Sequence, residues 1–108
     1  MGIRVISKRV VSEAKEKDIL PLVLDLKKLG KAQPGFISEE IWRHLEKRDE
    51  YLVVRSWDSE DDWYQWLANP QRISIQGKIE SQLGRKTEYS PYELVRRTEK
   101  PAKSPLYT

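Results

Sequence analysis

Two neighbouring segments, FISEEIWRHL (36–45) and EYLVVRSW (50–57), most constrain what this chain can fold into, because each is apolar on both sides. Strand alternation sets Phe36 and Trp42 on one face of the first segment, and Ile37, Ile41 and Leu45 on the other. In the second, Tyr51, Val53 and Trp57 oppose Leu52 and Val54. The short polar connection EKRD predicts an antiparallel hairpin. A strand that is apolar on both faces must be covered on both. With 108 residues there is room for one domain, so helices can take one face. The other face is left for a second subunit, and a homodimer through an open sheet face is expected.

The remaining segments supply the helices and outer strands. IRVISKRVV (3–11) reads as a strand with Ile3, Val5 and Ser7 on one face and Arg4, Ile6 and Lys8 on the other. Over 18–32, Ile19, Leu22, Val23, Leu26 and Leu29 recur at the spacing of one buried helical stripe. Pro21 is placed in its first turn, where backbone N–H groups lack helical partners, and Gly30 with Pro34–Gly35 ends the helix.

A second helix is predicted to start at Ser59, an N-cap with Asp62 three residues on. The acidic run Asp58, Glu60, Asp61 and Asp62 complements a helix dipole there. Asn69–Pro70 restarts a helix whose stripe is Ile75, Ile79 and Leu83, closed by Gly84. TEYSPYELVRR (87–97) reads as a last strand, kept to an edge or a bulge by Pro91. The order βαββαβ is the ferredoxin-like α+β arrangement: a four-stranded antiparallel sheet with helices on one face. One domain spans 1–97, followed by a basic, Pro-containing tail over 98–108.

Composition removes several function classes. There is no cysteine, hence no disulfide, thiolate nucleophile or zinc–sulfur site. No apolar run reaches the roughly 20 residues that span a bilayer, and the N-terminal segment lacks the apolar stretch of a signal peptide; no membrane partner and a cytoplasmic location are expected. The net charge of +3 does not point to nucleic acid. Residues 1–95 carry 16 Lys/Arg and 16 Asp/Glu, and the surplus comes from Arg96, Arg97, Lys100 and Lys103 against Glu99. A solvated basic tail accounts for it, and no nucleic-acid partner is expected.

Residues 34–72, with PGF opening a strand, EYLVVRSW as the next and the W-x-S-x-x-D-W-x-x-W-L run entering a helix, resemble the antibiotic biosynthesis monooxygenase family of dimeric α/β barrels. With the flanking helix and last strand, the resemblance covers about 3–97. It implies a homodimer whose sheets face each other, with a pocket between sheet and helices in each subunit. The family includes cofactor-free oxygenases and haem-degrading enzymes. The haem-degrading pattern calls for an asparagine where Ser7 stands, a tryptophan, matched by Trp66, and a histidine where Gln76 stands. An amide is a poor iron ligand beside imidazole, so haem degradation is not expected.

The cofactor-free branch implies an aromatic-walled pocket for a small phenol or hydroquinone, donors for a developing oxyanion, and no cofactor. By position, Ser7 and Gln76 become candidate catalytic groups and Trp66 a substrate-binding wall. By chemistry, Arg55 is a further substrate-binding candidate, and His44, the only histidine, a candidate base. The same residues also have structural readings: Trp57 and Trp63 as core, Trp66 as core or pocket wall, and His44 as a hairpin or interface residue. The 58–62 cluster is a helix start, and no metal site is expected. The reading from another class is a non-catalytic dimeric small-molecule-binding or regulatory module. A pocket with polar groups converging near Trp66 would favour the enzyme; if side chains fill that space, the enzyme reading built on Trp66 fails and the module gains.

Overall fold

The computed structural model describes residues 2–101. The expected tail over 98–108 lies, beyond residue 101, outside the described residues. Strand β1 (Ile3–Val10) leads through a short 3-10 turn (Glu13–Lys15) into helix α1 (Glu16–Lys31). Strands β2 (Phe36–Arg43) and β3 (Glu50–Trp57) form the hairpin. Helices α2 (Glu60–Leu67) and α3 (Pro70–Leu83) precede strand β4 (Tyr89–Glu93). The sheet is antiparallel throughout, in the order β2-β3-β1-β4. This is the ferredoxin-like fold read from the sequence.

Local chemistry sets the boundaries. Ser59 caps α2, its hydroxyl accepting from the Asp62 backbone N–H at 3.1 Å and donating to the Asp62 carboxylate at 2.8 Å. The Asn69 side chain accepts from the Arg72 N–H at 3.0 Å, and Pro70 stands at the first position of α3, where it removes no helical bond. Gly84 closes α3 in the left-handed conformation. Gly35 also has positive φ, and a Cβ there would overlap the Asp62 side chain, so the turn into β2 and the start of α2 share one crowded spot.

Pro21 departs from expectation. The 3-10 turn, closed by the Lys15 N–H on the Ser12 carbonyl, starts the helix early, so Pro21 falls inside α1 rather than in its first turn. Its missing N–H leaves the carbonyl of Lys17 without a helical donor, at an exposed position that water reaches.

The core lies between one sheet face and the helices. Ile19 and Leu26 of α1 and Ile79 of α3 are buried against Val5, Trp57 and Trp66, while Leu22, Val23, Leu29, Ile75 and Leu83 pack partly buried around them. Both predicted helical stripes thus face inward.

The register of β2 overturns the alternation read from its sequence. Phe36 pairs with Trp57, but Ser38 and not Ile37 pairs with Ser56, so Ile37 is the extra residue of a β-bulge. Beyond it, Glu39 lies opposite Arg55, Ile41 opposite Val53 and Trp42 opposite Leu52. Phe36 and Ile41 therefore share the helix-covered face, and Trp42 lies on the other. His44 and Leu45 fall outside the strand. The uncovered face carries Ile6, Val10, Leu52, Val54 and Tyr92 beside Trp42, which is 59% exposed.

Candidate functional site

Trp66 belongs to the core. It is 3% exposed, its ring centroid lies 5.9 Å from that of Trp57, and Gly30 of α1 approaches its edge. The Arg55 guanidinium carbon stands 5.6 Å from the indole centroid and that of Arg72 5.9 Å, both within cation–π range. Arg55 is held by Glu39, with Nε to Oε2 at 2.7 Å in a nearly buried pair. Arg72 donates to the Leu67 carbonyl at 3.1 Å and to the Tyr89 hydroxyl. Ser7 faces the same region, opposite Val53 and Tyr89 in the ladder. The space enclosed by Ser7, Arg55, Trp57, Trp63, Trp66 and Tyr89 is about 10 Å³, room for a single water. Ser7, Arg55 and Trp66 do meet, but around filled space.

The other two sequence candidates lie elsewhere. Gln76 is 5% exposed, and its amide donates to the Thr87 hydroxyl at 2.8 Å and to Glu80 Oε2 at 3.3 Å. The same Glu80 oxygen accepts the Thr87 backbone N–H at 2.8 Å. Gln76 thus ties α3 to the segment entering β4. His44 sits exposed in the hairpin connection, and its Nδ1 accepts the backbone N–H groups of Glu46 and Lys47 at 3.0 and 2.9 Å. With that lone pair engaged, the ring serves the turn. The acidic run 58–62 forms the start of α2, and no group of three or more potential metal-ligating side chains occurs among the described residues.

An apolar space lies at the other end of the same sheet face. A cavity of about 250 Å³ opens between the N-terminal half of α1 and the strands. Ile19, Leu20 and Val23 of α1 form one wall, and Ile41 and Val53 of the hairpin the other. Leu20 and Ile41 are each about half exposed, so they mark the rim. Three residues bring polarity: Arg9, Tyr51 and, in the first turn of α1, the exposed Glu16. Tyr51 and Arg9 are paired across β3 and β1, and the Tyr51 hydroxyl accepts from Arg43, whose guanidinium lies 4.9 Å over the ring. Arg9 is buried, and its pKa is lowered, first by burial and then by the charge of Arg55, against weaker support from Tyr89 and Glu39.

Arg9, Tyr51 and Arg72 were not picked out by the sequence. For Arg9 a signal existed, since the alternation that places Ile3, Val5 and Ser7 inside continues to it. Its charge argues for the surface, and the geometry overrides that. Tyr51 stood on the correct face, but nothing local separated a pocket wall from core. Arg72 follows a helix cap, where a solvated cation is ordinary.

An α+β sheet with its helices on one face and an apolar cavity beneath the first of them defines a ferredoxin-like domain with an open apolar pocket. The model of the family described as antibiotic biosynthesis monooxygenase matches residues 1–77, and the chain belongs to that family. The curated proteins contain no match to this sequence. Among solved structures, a conserved protein from Methanosarcina mazei Go1 is 22% identical with a TM-score of 0.76, over 85% of this chain and 91% of that one. SnoaB, a cofactor-independent oxygenase from Streptomyces nogalater, is 18% identical with a TM-score of 0.76, over 90% and 95%. A protein from Mycobacterium tuberculosis is 11% identical with a TM-score of 0.76, over 92% and 100%. At these identities the likeness establishes the fold. No helix among the described residues is long and apolar enough to cross a membrane.

Proposed function

We propose that this chain is a cofactor-independent monooxygenase acting on a small aromatic of phenol or hydroquinone type, bound in the cavity beneath α1. We further propose that it works as a homodimer joined through its uncovered sheet face. The observation that carries the reading is the cavity itself: about 250 Å³, walled by aliphatic side chains, with a guanidinium and a phenol at one end. Apolar walls bind a flat ring, and the Tyr51 hydroxyl supplies a donor for the negative charge that develops when the substrate loses a proton. Glu16 is the carboxylate at the mouth.

For an anthrone-type substrate the step balances without a cofactor. The carbon loses a proton, and the carbanion gives electrons to dioxygen and forms a C–O bond. The resulting hydroperoxide then loses water to leave a carbonyl. Dioxygen is the oxidant; one of its atoms stays in the product and the other leaves as water.

The filled space around Trp66 favours a second reading, a non-catalytic small-molecule-binding or regulatory module using the same cavity. Oxygen uptake with a panel of hydroquinones and anthrones separates the two. Turnover should persist in Trp66→Phe and disappear in Val23→Trp, which fills the cavity. Saturable binding across the panel with no oxygen consumed would replace the oxygenase reading with the binding module.

A further inference from the structure

We propose that the molecule held beneath α1 carries an acid group already ionised at neutral pH, and that Arg9 receives it. This deepens the reading of the cavity given above and rests on it.

Arg9 is an unusual resident of that wall. It is only 9% exposed, and its Nε is shielded from solvent with no hydrogen-bond partner among the described residues. A guanidinium offers five N–H donors, accepts nothing and keeps its proton under physiological conditions. Buried charges are ordinarily paired, because an unpaired one loses its hydration without recovering the energy elsewhere. Arg9 takes part in none of the ion pairs among the described residues. The polar groups nearest to it are engaged elsewhere. Glu39 is bound to Arg55 at 2.7 Å, and the Tyr89 hydroxyl receives Arg72. Arg55 itself adds a second positive charge. Glu16 shares the cavity with Arg9 but lies exposed in the first turn of α1, beyond ion-pairing distance.

The cavity thus joins aliphatic walls to a largely buried cation whose Nε has no partner among the described residues. A neutral hydroquinone would leave that charge uncompensated. A carboxylate in its place would accept charge-assisted hydrogen bonds from the planar fork, while its ring system lies against Ile19, Val23 and Val53. The fitting ligand is a small aromatic or polycyclic acid, its carboxylate inward.

Calorimetric titration of the full chain with 2-naphthoate and its neutral isostere 2-naphthamide tests this. The acid should bind at least tenfold more tightly than the amide, and Arg9→Gln should abolish that difference. Arg9→Met, which removes an unpaired buried charge, should melt no lower than the unaltered chain without ligand. Equal affinities for acid and amide, both lost in Val23→Trp, would retain the cavity and overturn the role of Arg9. Saturable binding of neither would overturn the cavity reading and this one together. An Arg9→Met variant that melts lower yet keeps its naphthoate affinity would make Arg9 a packing residue and overturn the proposal. The acid–amide comparison uses the unaltered chain, so it holds even if a variant fails to fold.

Discussion

Gly30 of α1 and Trp66 of α2 meet so closely that a Cβ on Gly30 would stand 3.3 Å from Cζ2 of the indole. The contact fixes how near the two helices approach, and the indole has little room to retreat, with Trp57 on one side and two guanidinium groups beside it. Gly30→Val should lower stability by about 1–3 kcal/mol through overpacking. Gly30→Ala should lie near neutral, because the gain in helix propensity of about 1 kcal/mol opposes the crowding. Urea unfolding of both variants measures the pair, and a Val variant as stable as the original would show that the contact is loose.

Trp66→Ala should cost about 3–5 kcal/mol, the range for removing a buried aromatic. Trp66→Phe should cost far less and leave ligand affinity in the α1 cavity within a factor of about two, since Trp66 does not line it. Comparing melting with titration separates core from pocket.

The Glu39–Arg55 pair is nearly buried, so losing one partner is worse than losing both. Glu39→Ala should destabilise by about 3–5 kcal/mol, leaving Arg55 and Arg9 as neighbouring unpaired cations. The double variant Glu39→Leu/Arg55→Met should recover most of that loss. A double-mutant cycle by chemical denaturation gives the coupling directly.

Haemin should produce no sharp, stoichiometric Soret band. Gln76 is engaged with Thr87 and Glu80, and the space beside Trp66 holds about one water. Gln76→Ala should instead lower stability by about 1–3 kcal/mol, leaving the Thr87 hydroxyl short of a partner. A tight Soret titration would overturn this placement.

Sedimentation should show a dimer at micromolar concentration. Val54→Asp, at the centre of the uncovered face, should yield a folded monomer, whereas a monomeric unaltered chain would refute the two-faced-sheet argument.

Much of this architecture could be read before any coordinates. The stripes of α1 and α3, the caps at Ser59 and Asn69 and the order of elements all follow from side-chain periodicity and local hydrogen bonding, which act over a few residues. The candidate site was less legible. A period of two carried through β2 puts Phe36 with Trp42, because a bulge is a backbone event that leaves no mark in hydrophobicity. Gln76 stands where the resemblance to the haem branch expects a ligand, but its amide is taken up by Glu80 one turn on and by Thr87 eleven residues on. His44 looked chemical because it is the only histidine, yet its Nδ1 is taken up by the backbone of the turn it closes. Arg9 was hidden by its charge, which outweighs a parity argument until the surrounding walls are known.

The bulge at Ile37 has one more consequence, for how this strand tolerates change in length. Because Ile37 stands outside the pairing, a chain lacking it could run directly from Phe36 to Ser38 with every later partner kept. The cavity wall at Ile41 and the exposed Trp42 would hold their sides. Ile37 is a slack link: the chain can drop a residue there without rewriting either surface of the sheet, whereas the same loss two residues later would exchange them.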